Sequence, residues 1–351
     1  MSVTTILGEV DKSQLGVVLP HEHSSFNMTS FLSPYDDWQQ EMIFNGPITL
    51  ENRGMLARNP YAVRDNGIMN CPDVLIDEVF EYRKAGGGTW VDLSSSKSRG
   101  SSRNIGFTYE IAMKTGLHIV AGTSYRKHDD VDRAIENDSV KELVDEMMKE
   151  ITIGICGTNM RAGVVGEFMT GKVLTPGERK ALEAGAIVQS QTGMGMQIHA
   201  YLYNREGATA FDLAVKNGAN PEKIALDHLD VMLDMDYIYS MLDKGAYIEF
   251  DNFGKEFYCD KSSRNWLEGR FAYDFERVNA IKQIIERGYI KQLLLSNDIC
   301  LKSMFHKFGG WGYDHILTNI APMMEDVGIT KEQIHTLLVE NPADFLDKKE
   351  G

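Results

Sequence analysis

The chain has few cysteines, little positive charge and no long apolar run. Its four cysteines, Cys71, Cys156, Cys259 and Cys300, are scattered over 351 residues without a CxxC pair. That excludes a disulfide framework and a cysteine zinc site as organising devices. No stretch reaches the roughly 18 uninterrupted apolar residues of a transmembrane helix, so no membrane span and no membrane partner is expected. Lys and Arg number 36 against 51 Asp and Glu, a formal net charge of -15. A polyanion is held chiefly by clustered cations, so nucleic acid is not expected as a partner. The opening residues, MSVTTILGEVDKSQ, lack the basic and apolar regions of a secretory signal, and a cytoplasmic location is the expectation. No repeat, low-complexity tract or Gly/Ser/Pro-rich linker divides the chain. One domain over residues 1–351 is expected.

What the chain has is a series of apolar runs bounded by turn residues. Eight read as strands: LGVVLPHEH ending at His23, GGTWVDLSS around Trp90, LHIVAGTS around Val120, AGVVGEF around Val165, MQIHAY around His199, KIALDH ending at His228, GAYIEFD around Ile248 and QLLLSND ending at Asp298. Amphipathic segments of helical period lie between most of them, several stopping at glycine. Eight strands alternating with helices, several apolar on both faces, predict an α/β fold, a single-domain (β/α)8 TIM barrel. The long stretch 26–72 between the first two strands is too long for an ordinary loop and is expected to fold over the barrel mouth.

The first strand ends LPHEH. In extended chain residues i and i+2 point the same way, so His21 and His23 face one side, a spacing suited to metal chelation. In a (β/α)8 barrel the C-terminal strand ends converge on one rim. They deliver His21 and His23 (strand 1), Glu167 (strand 4), His199 (strand 5), His228 (strand 6) and Asp298 (strand 8). Singly, each has an ordinary structural reading: a core histidine, a paired carboxylate, a helix cap. Together, four of nine histidines and two carboxylates exceed what one tetrahedral zinc needs, and they suit two ions about 3.5–4 Å apart. Zinc, manganese and cobalt all accept such N/O ligands, zinc being the first expectation.

The motifs PHEH, AGVVGE, IHA, DHLD, LLLSND and NPADFL, in this order, resemble the phosphotriesterase-related branch of the amidohydrolase superfamily over almost the whole chain. The resemblance implies a binuclear hydrolase in a group that includes phosphotriesterases and lactonases. By it, His21, His23 and Asp298 hold the more buried ion, His199 and His228 the more exposed one, and Asp298 takes the proton of the attacking water. One departure matters. Many members bridge the ions with a carboxylated lysine on strand 4, whereas Gly166 and then Glu167 stand here. Glu167 is therefore the expected bridge, with Lys172 a distant second.

The segment after strand 7, DNFGKEFYCDKSSRNWLEGRFAYD, gathers Lys255, Lys261, Arg264 and Arg270 with Tyr258 and Tyr273. It reads either as a solvated loop or as an anion pocket. The resemblance favours Lys255, Arg270 and Tyr273 as substrate-binding residues, the last two at helical i, i+3 spacing. The loop after strand 3 adds Tyr125 and Arg126 as candidates. The expected activity is a lactonase opening a sugar lactone that carries a phosphate. Organophosphate triester hydrolysis is the first alternative, set lower because the loops look too polar for a broad apolar pocket, and a catalytically inactive metal-binding barrel is the second. A homodimer is left open.

A glutamate bridge needs no carbon dioxide to become a ligand. Metal uptake by the apo protein should therefore be the same with and without added bicarbonate, measured by bound-metal analysis. A lysine heavier by one carboxyl group in the intact metal-loaded protein would overturn this.

Overall fold

The computed structural model describes residues 2–29, 32, 37–69, 71–94, 105–125, 135, 137–259 and 269–348. Eight strands form one sheet: β1 Val17–Glu22, β2 Gly87–Asp92, β3 His118–Thr123, β4 Val164–Met169, β5 Met196–His199, β6 Ile224–Asp227, β7 Tyr247–Phe250 and β8 Leu293–Leu295. Their order in the sheet is their order in sequence, and every neighbouring pair is parallel. This is the (β/α)8 barrel that the alternation predicts. The strands are buried nearly throughout, as parallel strands covered on both faces must be.

The helices start and stop where local chemistry dictates. Helices Val140–Thr152 and Pro176–Thr192 open with capping boxes, Ser139 with Glu142 and Thr175 with Glu178. The second stops at Gly193, whose φ of 66° a residue with a side chain rarely adopts. A hairpin of Ser2–Thr5 and Gly8–Asp11 precedes β1. No described helix is long and apolar enough to cross a membrane.

The insertion after β1 carries helices Trp38–Phe44 and Arg53–Arg58. Its two ends are tied together by Met28 N donating to Gly67 O and Met69 N donating to Phe26 O, both at 2.8 Å. Phe26, Met28 and Tyr61 from this segment face the site at the barrel mouth. The segment after β7 returns as a two-residue ribbon, Tyr258–Cys259 against Gly269–Arg270. Arg270 therefore lies in a short strand rather than on a helix.

Where β8 meets β1, side chains replace the regular ladder. Ser296 Oγ donates to His21 O at 2.7 Å, and Asp298 N donates to the same carbonyl at 3.2 Å. The fully buried Glu22 carboxylate accepts from Asn297 N at 3.0 Å, Ile299 N at 2.8 Å and Ser296 Oγ at 3.0 Å. One side chain thus satisfies two backbone N–H groups that the incomplete strand pairing leaves over.

Glu22→Ala should strand both N–H groups and lower the unfolding free energy by about 2–5 kcal/mol. Urea denaturation measures this, and a loss below about 1 kcal/mol would place the closure elsewhere.

Candidate metal centre

β1 delivers His21 and His23 to the C-terminal rim. Between them, Glu22 turns away into the β8 closure, so the i, i+2 alternation sends both imidazoles inward. Glu167 stands in β4, His199 ends β5, and His228 and Asp298 follow β6 and β8. All six are at least nine-tenths buried. His228 and Asp298 have left-handed backbones, with φ of 66° and 44°. Such conformations persist only where surrounding contacts over-determine them. Here, His228 N donates to Asp251 Oδ1 at 3.2 Å and Asp298 N to His21 O at 3.2 Å.

His21 sits at the centre, surrounded by five carboxylates. Its Nε2 is 3.6 Å from Glu167 Oε2 and 3.7 Å from Asp298 Oδ1. Its Nδ1 is 3.2 Å from Asp251 Oδ2 and 3.6 Å from both Asp227 Oδ2 and Glu249 Oε2. His23 Nε2 is 2.9 Å from Asp298 Oδ1. On the other side, Glu167 Oε1 lies 2.7 Å from His199 Nδ1 and 3.7 Å from His228 Nε2, while those two nitrogens are 2.7 Å apart. The two oxygens of Glu167 thus face different histidines.

The donor set suits divalent cations. Neither ring nitrogen of His21 makes a hydrogen bond although both are buried, and a buried polar atom without a partner is costly. A proton on either nitrogen leaves the carboxylates standing off at 3.2–3.7 Å. The ligand atoms of His21, His23 and Asp298 lie within 4.8 Å of one another, as do those of His21, Glu167 and His228. These residues, with His199 beside Glu167, would hold the metal.

The electrostatics follow from burial and crowding. Burial alone would push His21 and His228 down, but the facing carboxylates pull both up, His228 to about 10. Burial pushes Asp227 and Glu249 up. Burial acts the same way on Asp298, but the Lys255 ammonium together with His23 and His21 outweighs it and holds that carboxyl well below the usual range. Lys255 Nζ bonds Asp298 Oδ2 directly and reaches Asn252 Oδ1 at 3.2 Å. Its segment is fixed by the fully buried Arg277, whose Nε donates to Asp230 Oδ2 at 2.8 Å and whose Nη1 donates to Asp274 Oδ1 at 2.8 Å.

A cavity opens above these groups. Glu167, His199, His228, Asn252, Lys255 and Asp298 form its polar part, and Phe26, Met28, Met169, Leu202, Phe257 and Phe271 much of its wall. Lys255 is its one lysine or arginine among the described lining residues. Among the described residues the wall is more apolar than the loop composition suggests, because Arg270 and Tyr273 turn to solvent.

The structure brings together the six metal candidates and Lys255, but not Arg270, Tyr273 or Tyr125. Arg270 is exposed, pairs with Glu276 and stacks over Tyr273 at 5.0 Å. Tyr273 is 41% exposed and caps the helix Asp274–Glu286. The i, i+3 spacing of the two therefore spans a strand-to-helix turn. Tyr125 is buried, its hydroxyl 3.1 Å from Glu146 Oε2. Arg126, Lys261 and Arg264 lie outside the described residues. Gly166 cannot carry a bridging side chain: its φ is 151°, and a Cβ there would meet Gln197 at 2.9 Å. Lys172 is exposed beyond β4. Asp227, Glu249 and Asp251 escape the sequence reading, although acids inside the apolar runs KIALDH and GAYIEFD were the available signal.

Comparison with known proteins agrees with this geometry. The sequence model of the phosphotriesterase family matches residues 1–346. N-acetyltaurine hydrolases from Danio rerio and Mus musculus are 32% and 34% identical to the chain, each comparison covering 99% of this chain and 98% of the relative. The crystal structure of a resiniferatoxin-binding protein from Rhodobacter sphaeroides superposes with a TM-score of 0.93 at 27% identity, covering 99% of this chain and 95% of that one. With its barrel, its rim of histidines and carboxylates and these full-length matches, the chain is a hydrolase that belongs to the phosphotriesterase family.

Proposed function

We propose that the protein is a binuclear metal-dependent hydrolase of small acyl compounds, cleaving the amide bond of an N-acylated small acid that carries one negative charge. The observation that carries this reading is the pairing of two groups of buried ligands, on either side of Glu167, with a cavity whose described lining has an apolar wall and a single ammonium. Two divalent ions together with Lys255 offset the five carboxylates around His21. The relatives named for N-acetyltaurine, an N-acyl sulfonate, favour the amide bond. The phosphorylated sugar lactone expected from the sequence ranks lower, because a phosphate dianion would meet Lys255 without Arg270 or Tyr273.

His21, His23 and Asp298 would hold one ion, His199 and His228 the other, with Glu167 between them; zinc suits these donors, as do manganese and cobalt. Bound there, the ions supply Lewis acidity for the scissile carbonyl and lower the pKa of a water. Asp298 accepts the proton of that water at a carboxylate oxygen and returns it to the leaving nitrogen. Lys255 keeps Asp298 ionised and so able to accept. The aromatic and aliphatic wall takes the acyl substituent and excludes bulk water, which strengthens every charge interaction inside.

Kinetics of the metal-loaded protein on N-acetyltaurine, an N-acetyl amino acid, a five-carbon sugar γ-lactone, its 5-phosphate and an aryl phosphotriester should give the highest kcat/KM on an N-acyl acid. A clear preference for the phosphorylated lactone or the triester would overturn the substrate class. Chelation should abolish turnover and added zinc restore it, with two ions bound per chain by elemental analysis. Asp298→Asn should retain most of the metal while kcat falls about 10²–10⁴-fold; near-parental turnover would remove Asp298 as the proton carrier.

A further inference from the structure

Asp251 lies just beyond β7, fully buried, and touches histidines from both proposed ligand groups. Its Oδ1 is 2.8 Å from His228 Nδ1 and accepts from His228 N at 3.2 Å and from Asn252 Nδ2 at 2.8 Å. Its Oδ2 faces His21 Nδ1 at 3.2 Å, and neither of these atoms has a hydrogen-bond partner. One carboxylate therefore addresses the Nδ1 side of two imidazoles whose Nε2 atoms both point toward Glu167, at 3.6 Å for His21 and 3.7 Å for His228. The same oxygen that meets the His228 ring also holds its backbone N–H, and so supports the left-handed turn that aims the ring inward.

The neighbouring acids are placed differently. Glu249 Oε2 stands 3.6 Å from His21 Nδ1 and is held by Gln197 Nε2 at 2.8 Å. Asp227 Oδ2 is also 3.6 Å from His21 Nδ1. Among the described residues, neither makes a hydrogen bond or ion pair with His228, where Asp251 makes both. Asp251 is itself anchored from outside the site. Asn252 donates to Asp230 through both N and Nδ2, at 3.0 and 2.7 Å, and Asp230 is paired with Arg277.

We infer that Asp251 is a shared positioning residue, a clamp that fixes the ring orientation and Nδ1–H tautomer of both His21 and His228 and thereby couples the two ion sites through one carboxylate. A carboxylate that accepts the Nδ1 proton leaves the Nε2 lone pair for a metal and raises its basicity. Because one side chain serves both rings, its loss weakens both sites, whereas loss of an acid that serves His21 alone weakens one. The inference rests on the two-ion reading above.

The test compares parent, Asp251→Asn and Glu249→Gln proteins. Zinc titration of the apo proteins by calorimetry should show both sites of Asp251→Asn weakened, on the order of 10–100-fold, and at most one site of Glu249→Gln. Parental affinity at both sites, or loss at one only, in Asp251→Asn would overturn the clamp. Equal two-site losses in both variants would also overturn it, by showing a general effect of buried charge. Should Asp251→Asn not fold, the parent decides alone. Long-range ¹⁵N–¹H NMR of the ¹⁵N-histidine protein, apo and zinc-loaded, should find His21 and His228 both protonated at Nδ1, and a ring without an Nδ1–H in either state sinks the proposal. A parent that takes up fewer than two ions refutes the binuclear reading, while the Nδ1 protons of the apo protein still report on the clamp.

Discussion

Negative charge buried around His21 is the constraint on which the site depends. Five carboxylates stand 3.2–3.7 Å from one fully buried imidazole. Charges that deep are tolerated only with counter-charge or protons. Lys255 supplies one positive charge and the histidines can take up others, as their upward shifts record. Divalent cations bound there would supply the rest without leaving imidazole nitrogens unused. The left-handed turns at His228 and Asp298, and the side-chain closure of β8 onto β1, are the backbone's accommodation to that cluster.

The barrel makes the cluster possible by separating two jobs. Covered strands supply a rigid wall, and their C-terminal ends, with a few residues beyond, carry the chemistry. Glu22 shows how close the two jobs lie. It sits between His21 and His23 yet serves only the joint between first and last strands, so the alternation of a single strand assigns neighbours to the candidate metal centre and to closure. The insertion after β1 then completes the cavity with Phe26, Met28 and Tyr61. The part of the chain that departs from barrel periodicity thus shapes the wall that substrate meets.

Periodicity was enough to read the architecture, because alternating strand and helix patterns are local and a parallel barrel follows from connection rules. The six metal candidates were equally legible: each ends a strand, and all strand ends of such a barrel share one rim. The resemblance to a known family rested on those same residues. The loops were less legible. Arg270 and Tyr273 fit a helix-face spacing, but the chain passes there from a two-residue strand into a helix cap, and the pair stacks at the surface. Polar loop composition suggested a polar pocket, although composition does not record which side chains turn inward.

The sequence by itself determined the barrel, the rim of histidines and carboxylates, and the exclusion of a lysine bridge at position 166, since these depend on strand period and residue identity. Only the tertiary structure decided that Asp227, Glu249 and Asp251 converge on His21, that Lys255 pairs with Asp298, and that the cavity wall is apolar. The physical reason is distance along the chain. His21 and Asp298 are nearly 280 residues apart in sequence, and whether their charges meet is set by closure of the sheet, which no local pattern encodes.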